Sequence, residues 1–201
     1  MQRLYFLAVF IPLFLAAVTI HEFSHGLVAY FLGDPTARER GRLTLNPLKH
    51  LDPLWTVALP VLLVTAGLPA IGVAKPVPVD FSRLRRPRSG MIWVALAGPL
   101  ANILLAFCFT LFYTRAGWDI LLYAVYFNLG LAVFNLIPVP PLDGSRILTG
   151  LLPLNLAREY VKIEKFGFLI TVALVWFGII WRIVVPGINF FCNWWRIPLL
   201  G

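Results

Sequence analysis

The chain has 201 residues, 60% hydrophobic and only 13% charged, with a net charge of +8 and a mean hydropathy of +0.83. These values exclude an ordinary soluble domain and place the chain in a lipid bilayer. The basic residues lie between apolar runs rather than along one amphipathic face, which fits anionic lipid and membrane orientation and excludes a nucleic-acid partner.

The first predicted element is a spanning helix over 4–32, too long for a secretion signal and stopped by Gly33-Asp34-Pro35. The stretch 38–46, RERGRLTLN, alternates polar and apolar residues and reads as a short strand or strand pair ended by Pro47. An apolar segment over 54–73 carries Pro60, Gly67, Pro69 and Gly72, so it makes a poor continuous helix. A basic, proline-containing stretch follows from Lys75 to Gly90. Spanning helices are predicted over 91–113 and 118–137, joined at Arg115-Ala116-Gly117. Pro138–Gly144 must break the second of these at or near membrane depth, where irregular backbone survives only against protein or water. A short amphipathic helix over 145–152, a last spanning helix over 166–185 and an interfacial aromatic cluster over 190–195 complete the chain. Cys108 and Cys192 have no metal-binding spacing and read as packing residues.

Charge decides what 54–73 does. If it enters and leaves on one side, the loops on that side hold thirteen Lys and Arg against four on the other. The positive-inside rule therefore favours a re-entrant or peripheral segment, cytoplasmic basic loops and an external N-terminus. The expected fold class is an all-α polytopic membrane protein, one domain over 1–201. It has about four full transmembrane helices, the re-entrant segment and a short membrane-associated β element.

The chemistry starts at His21-Glu22-Phe23-Ser24-His25. On a helix the two histidines lie one turn apart on one face and can reach one metal ion, with Glu22 close to any water bound there. Ionisable residues inside an apolar span need such a reason to exist. His21 lies eleven residues before Leu32, so roughly 16 Å from that helix end. A catalytic zinc needs a third protein ligand. Asp143, in the helix-breaking loop, and His50, in the basic loop, are the candidates. Asn102 and Asn135 suit either interhelical hydrogen bonds or substrate contacts.

HEFSH in one spanning helix, AGPLAN at 97–102 in a second and NLIPVPPLDG at 135–144 in a third resemble, in order, the site-2 protease family of intramembrane zinc metalloproteases. The similarity is to compact prokaryotic-type members without a PDZ or regulatory domain. It implies one Zn2+ per chain held by His21, His25 and Asp143, with Glu22 as general base and Asn102 on the substrate backbone or oxyanion. It implies catalytic core helices over 4–32, 91–113 and 118–137 with loop 138–144, an extra helix over 166–185, and residence in a prokaryotic cytoplasmic membrane. The partner would be a transmembrane or membrane-anchored protein substrate.

A helical substrate hides its amide bonds and must be extended for cleavage. Arg42, Leu43, Thr44, Leu45 and Asn46 are the candidate edge for pairing with it, and Asn135 for holding the loop or substrate. The competing reading is a membrane protein that moves metal or protons through the His/Glu/Asp cluster, or a pseudoprotease that only binds substrates.

Overall fold

The computed structural model describes residues 2–52, 62 and 75–200. Three helices are long and apolar enough to cross a membrane. These are α1 over Gln2–Phe31, and two helices that follow the short helix α2 at Thr36–Glu39: α3 over Pro87–Ala116 and α4 over Asp119–Leu136. Then come α5 (Asp143–Leu151), α6 (Leu154–Val161), α7 (Glu164–Trp176) and α8 (Trp181–Trp195).

Local chemistry explains the boundaries. Proline opens α3, where its missing N–H is harmless. Gly117 closes it with a left-handed φ of 66°, which a side chain would strain. The large apolar residues of α3 that point outward, Leu100, Leu104 and Phe112, are at least half exposed. Its small and polar ones, Ala95, Gly98, Asn102, Ala106 and Thr110, face inward. In lipid, where oil-like side chains gain nothing by leaving the surface, close packing falls to such small residues. The core joins α3, α4 and α8 through Ala106, Val125, Leu129, Val184, Ile188 and Cys192. Cys192 is fully buried there, as expected of a packing residue.

Two expectations are corrected. The predicted span over 166–185 is not one helix. It breaks after Trp176, where Gly178 takes a φ of 70°, and α7 and α8 meet at a 75° bend. The described residues therefore hold three spans, or four if the bent pair counts as one. The aromatic cluster over 190–195 lies within α8.

No strand forms among the described residues, so the predicted β element over 38–46 is absent there. Its backbone donors are used locally. The N–H groups of Arg42 and Leu43 both donate to Ala37 O, and the Asn46 side chain caps a 3-10 turn at Pro47–His50. The re-entrant segment expected over 54–73 lies outside the described residues apart from Leu62.

The basic loops are tied together at one end of the bundle. Arg85 N–H donates to Leu32 O at 2.9 Å, Arg83 pairs with Glu39 at 3.0 Å, and Arg88 Nε donates to Gly150 O at 2.8 Å. Buried Asp34 anchors this end. Its Oδ1 accepts from Thr36 N–H and from the Thr36 hydroxyl. Its Oδ2 accepts from Asp80 N–H at 2.7 Å.

Asp34→Ala would orphan two backbone donors at about 1–3 kcal/mol each. The expected loss of unfolding free energy is about 2–6 kcal/mol, read by reversible detergent denaturation.

Candidate metal centre

α1 places His21 and His25 side by side, their rings 4.6 Å apart and nearly perpendicular. Asp143 arrives from a distant part of the sequence. Residues 137–142 break the chain after α4, and Asp143 opens α5, where a carboxylate is favoured by the helix dipole. Its Oδ2 lies 3.1 Å from His21 Nε2 and 3.2 Å from His25 Nε2. One ligand atom from each residue lies within 4.8 Å of the others. Tetrahedral ligands at zinc distances stand about 3.3 Å apart, so this donor set fits a divalent ion.

Each part of the cluster is held from behind. His25 Nδ1 faces the Val94 carbonyl at 2.7 Å. A carbonyl only accepts, so a ring proton sits on Nδ1 and Nε2 is the atom turned to the centre. His21 Nδ1 faces Asn102 Oδ1 at 2.6 Å.

The broken loop is supported too. Pro138 O accepts from Tyr160 OH at 2.8 Å, and Pro140 O accepts from the Thr171 hydroxyl at 2.9 Å. Two carbonyls freed by the break are thus paired with protein hydroxyls. Gly144 is required because a Cβ there would lie 2.5 Å from Ile137 O and closer still to Leu136 O, both backbone atoms. Only glycine lets the start of α5 fold against the end of α4.

Glu22 stands apart from the three clustered residues. Its Oε2 accepts from Val77 N–H at 2.7 Å. Val77 lies in an extended segment, 75–80, that crosses α1. A Cβ on Gly26 would meet Val77 Cγ1 at 3.0 Å and Leu43 Cδ1 at 3.3 Å, so both segments flank α1 one turn beyond Glu22. Arg42 Nη2 bonds Lys75 O at 2.9 Å and joins them.

The other predicted site residues fall elsewhere. His50 is buried rather than on the surface, and its Nε2 donates to Thr44 O at 2.9 Å, outside the metal cluster. Leu45 is exposed, and Thr44 and Asn46 are occupied in local turns, so 42–46 presents no strand edge. Asn135 Nδ2 donates to Leu131 O of its own helix. Asn102, expected on the substrate backbone or oxyanion, sits behind His21, across the ring from Asp143. Its Nδ2 donates to Ala17 O and to Asn128 Oδ1.

Sequence reasoning missed Gly98, Val77 and Asn128. A Cβ at Gly98 would lie 2.7 Å from Cε1 and Nε2 of His21 and closer to His25 Nε2. Its signal is its place one turn before Asn102 on the same helix face. The signal at Val77 is Pro76-Val77-Pro78, which leaves one N–H donor in three residues.

The profile of Peptidase family M50 matches residues 114–178. A Bacillus subtilis (strain 168) protein named "Putative zinc metalloprotease YwhC" is 37% identical over 174 residues, covering 80% of this chain and 76% of that protein. "Putative zinc metalloprotease Rip2" of Mycolicibacterium smegmatis is 37% identical over 171 residues, and the alignment spans 80% of this chain but 64% of that protein. Rip2 of Mycobacterium tuberculosis (strain H37Rv) is 30% identical over 169 residues, with 80% and 63% covered. No solved structure matches.

Gly98→Ala would insert a methyl group against both imidazoles. Overpacking of about 1–3 kcal/mol there predicts divalent-metal binding weakened about 10–100-fold, measured by chelator competition with helicity unchanged in circular dichroism.

Proposed function

Because the chain belongs to peptidase family M50, we propose that it is a zinc-dependent intramembrane endopeptidase. It would hydrolyse peptide bonds in or near the transmembrane segments of membrane proteins. The observation that carries this reading is the meeting of His21 Nε2, His25 Nε2 and Asp143 Oδ2 from two separate parts of the chain inside an apolar bundle.

His21, His25 and Asp143 would hold one zinc ion, which when bound supplies Lewis acidity and lowers the pKa of water. Glu22, beside His21 but outside the ligand set, is the general base. It takes a proton from the attacking water and returns it to the leaving amine. The Val77 N–H fixes one carboxylate oxygen of Glu22 and leaves the other for that work. Asn102 orients His21 rather than stabilising the oxyanion, since its amide is already committed. The substrate approaches over α1, where 42–43 and 75–77 flank Glu22. The basic segments gathered at one end of the bundle support a cytosolic placement of that end in a prokaryotic cytoplasmic membrane.

A metal or proton carrier would place Glu22 among the ligands. Its bond to a backbone N–H instead favours a base.

Purified wild type and Glu22→Gln, assayed side by side, test the proposal. Elemental analysis should find one equivalent of zinc in both. Cleavage of a panel of single-span helical substrates should fall about 10²–10⁴-fold in the variant. Zinc lost together with Glu22 would point to transport, and cleavage by the variant at the wild-type rate would remove Glu22 from the mechanism. Chelation of zinc from wild type should abolish cleavage, and added zinc should restore it.

A further inference from the structure

We infer that Asn128, on α4 and with no contact to the metal ligands' coordinating atoms, is a positioning residue that sets metal affinity by fixing the Asn102 amide and through it the His21 tautomer. The inference rests on the metallopeptidase reading above.

The argument follows hydrogen-bond polarity along a buried chain. Backbone carbonyls only accept, and two of them fix the direction of every bond. Asn128 Nδ2 donates to Ala124 O at 2.8 Å, so Oδ1 is the end of that amide turned towards Asn102. Asn102 Nδ2 then donates twice, to Asn128 Oδ1 at 2.8 Å and to Ala17 O at 3.1 Å. Both amide hydrogens are spent, so Asn102 Oδ1 faces His21 Nδ1 at 2.6 Å. An amide oxygen cannot donate. A His21 proton therefore resides on Nδ1, which leaves Nε2, 3.1 Å from Asp143 Oδ2, as the ring atom free to ligate a metal.

Burial gives the chain its force. Asn102 is 0% exposed, Asn128 2% and His21 4%, so no water is at hand to replace a lost partner, and a reversed amide would set two oxygens against each other. The relay joins α1, α3 and α4, three spanning helices, at one point. His25 needs no relay, because Val94 O fixes its tautomer directly. Without Asn128, an Asn102 N–H is orphaned and only Ala17 O opposes amide reversal. Reversal would present Nδ2 to His21 Nδ1 and move the ring proton to Nε2, where it blocks ligation.

The test measures metal binding, not proteolysis. Zn2+ affinity of full-length wild type, Asn128→Leu and Asn128→Ser is determined by chelator competition, with Co2+ ligand-field absorption as a second readout. The serine variant is small and helix-compatible, so it serves if leucine misfolds. Its hydroxyl stops short of Asn102. Both variants should bind Zn2+ about 10–100-fold more weakly, with an altered Co2+ band. In an Asn102→Leu background, adding Asn128→Leu should cause no further loss, because the relay is already cut. Wild-type affinity in the folded variants, or losses that multiply in the double variant, overturns the inference. Wild type that binds neither Zn2+ nor Co2+ overturns the metallopeptidase reading itself.

Discussion

The centre of this molecule depends on holding one carboxylate, Asp143, against two imidazoles that come from a different helix and a different end of the sequence. His21 and His25 are preset by the pitch of α1. Asp143 is not, and without it the two Nε2 atoms would face an apolar bundle with no third ligand. The contact demands that a spanning helix stop at Leu136, that the chain turn through 137–142, and that a new helix begin on the acid itself. A broken helix in a bilayer exposes backbone groups that lipid cannot satisfy. Tyr160 and Thr171 answer that demand with hydroxyl donors to the carbonyls of Pro138 and Pro140. The helices after the metal centre are thus part of its support.

Close approach is the second constraint. At Gly98 any side chain would enter the space of the imidazoles, and at Gly144 it would strike the carbonyls that end α4. The glycines of AGPLAN and LDG serve the same geometric end, since His21, His25 and Asp143 can meet only if the backbone behind them carries nothing. What the glycines leave open, the hydrogen bonds then orient. Val94 O and Asn102 Oδ1 each accept from an imidazole Nδ1–H, so both rings turn Nε2 to the same point.

Glu22 is governed from outside the spanning bundle. The extended segment 75–80 is anchored at one end by Asp34 and at the other by Arg42 and His50 O, and it delivers the Val77 N–H to the carboxylate. The prolines on either side of Val77 cannot donate, so the segment has one bond to offer at that point. Asp34, buried at the end of α1, therefore connects folding of the basic loops to the setting of the Glu22 carboxylate.

Much of this was legible in the sequence because it is local. Helical pitch puts His21 and His25 on one face, apolar runs mark the spans, and three prolines before Asp143-Gly144 announce the break. The predicted strand over 38–46 failed because period-two alternation says nothing about whether a partner strand exists. Here Ala37 O and the Asn46 side chain took the donors first. The helix expected over 166–185 is broken in two because hydropathy does not register a left-handed glycine at 178. Residue type alone left Asp143 and His50 level as partners for the two histidines, and it is packing that brings Asp143 beside them. Packing also places Asn102 behind His21. Periodicity and composition determine which face of a helix is polar and where a helix must end. Which polar atoms meet across helices is a relation between distant residues, and only the tertiary arrangement decides it.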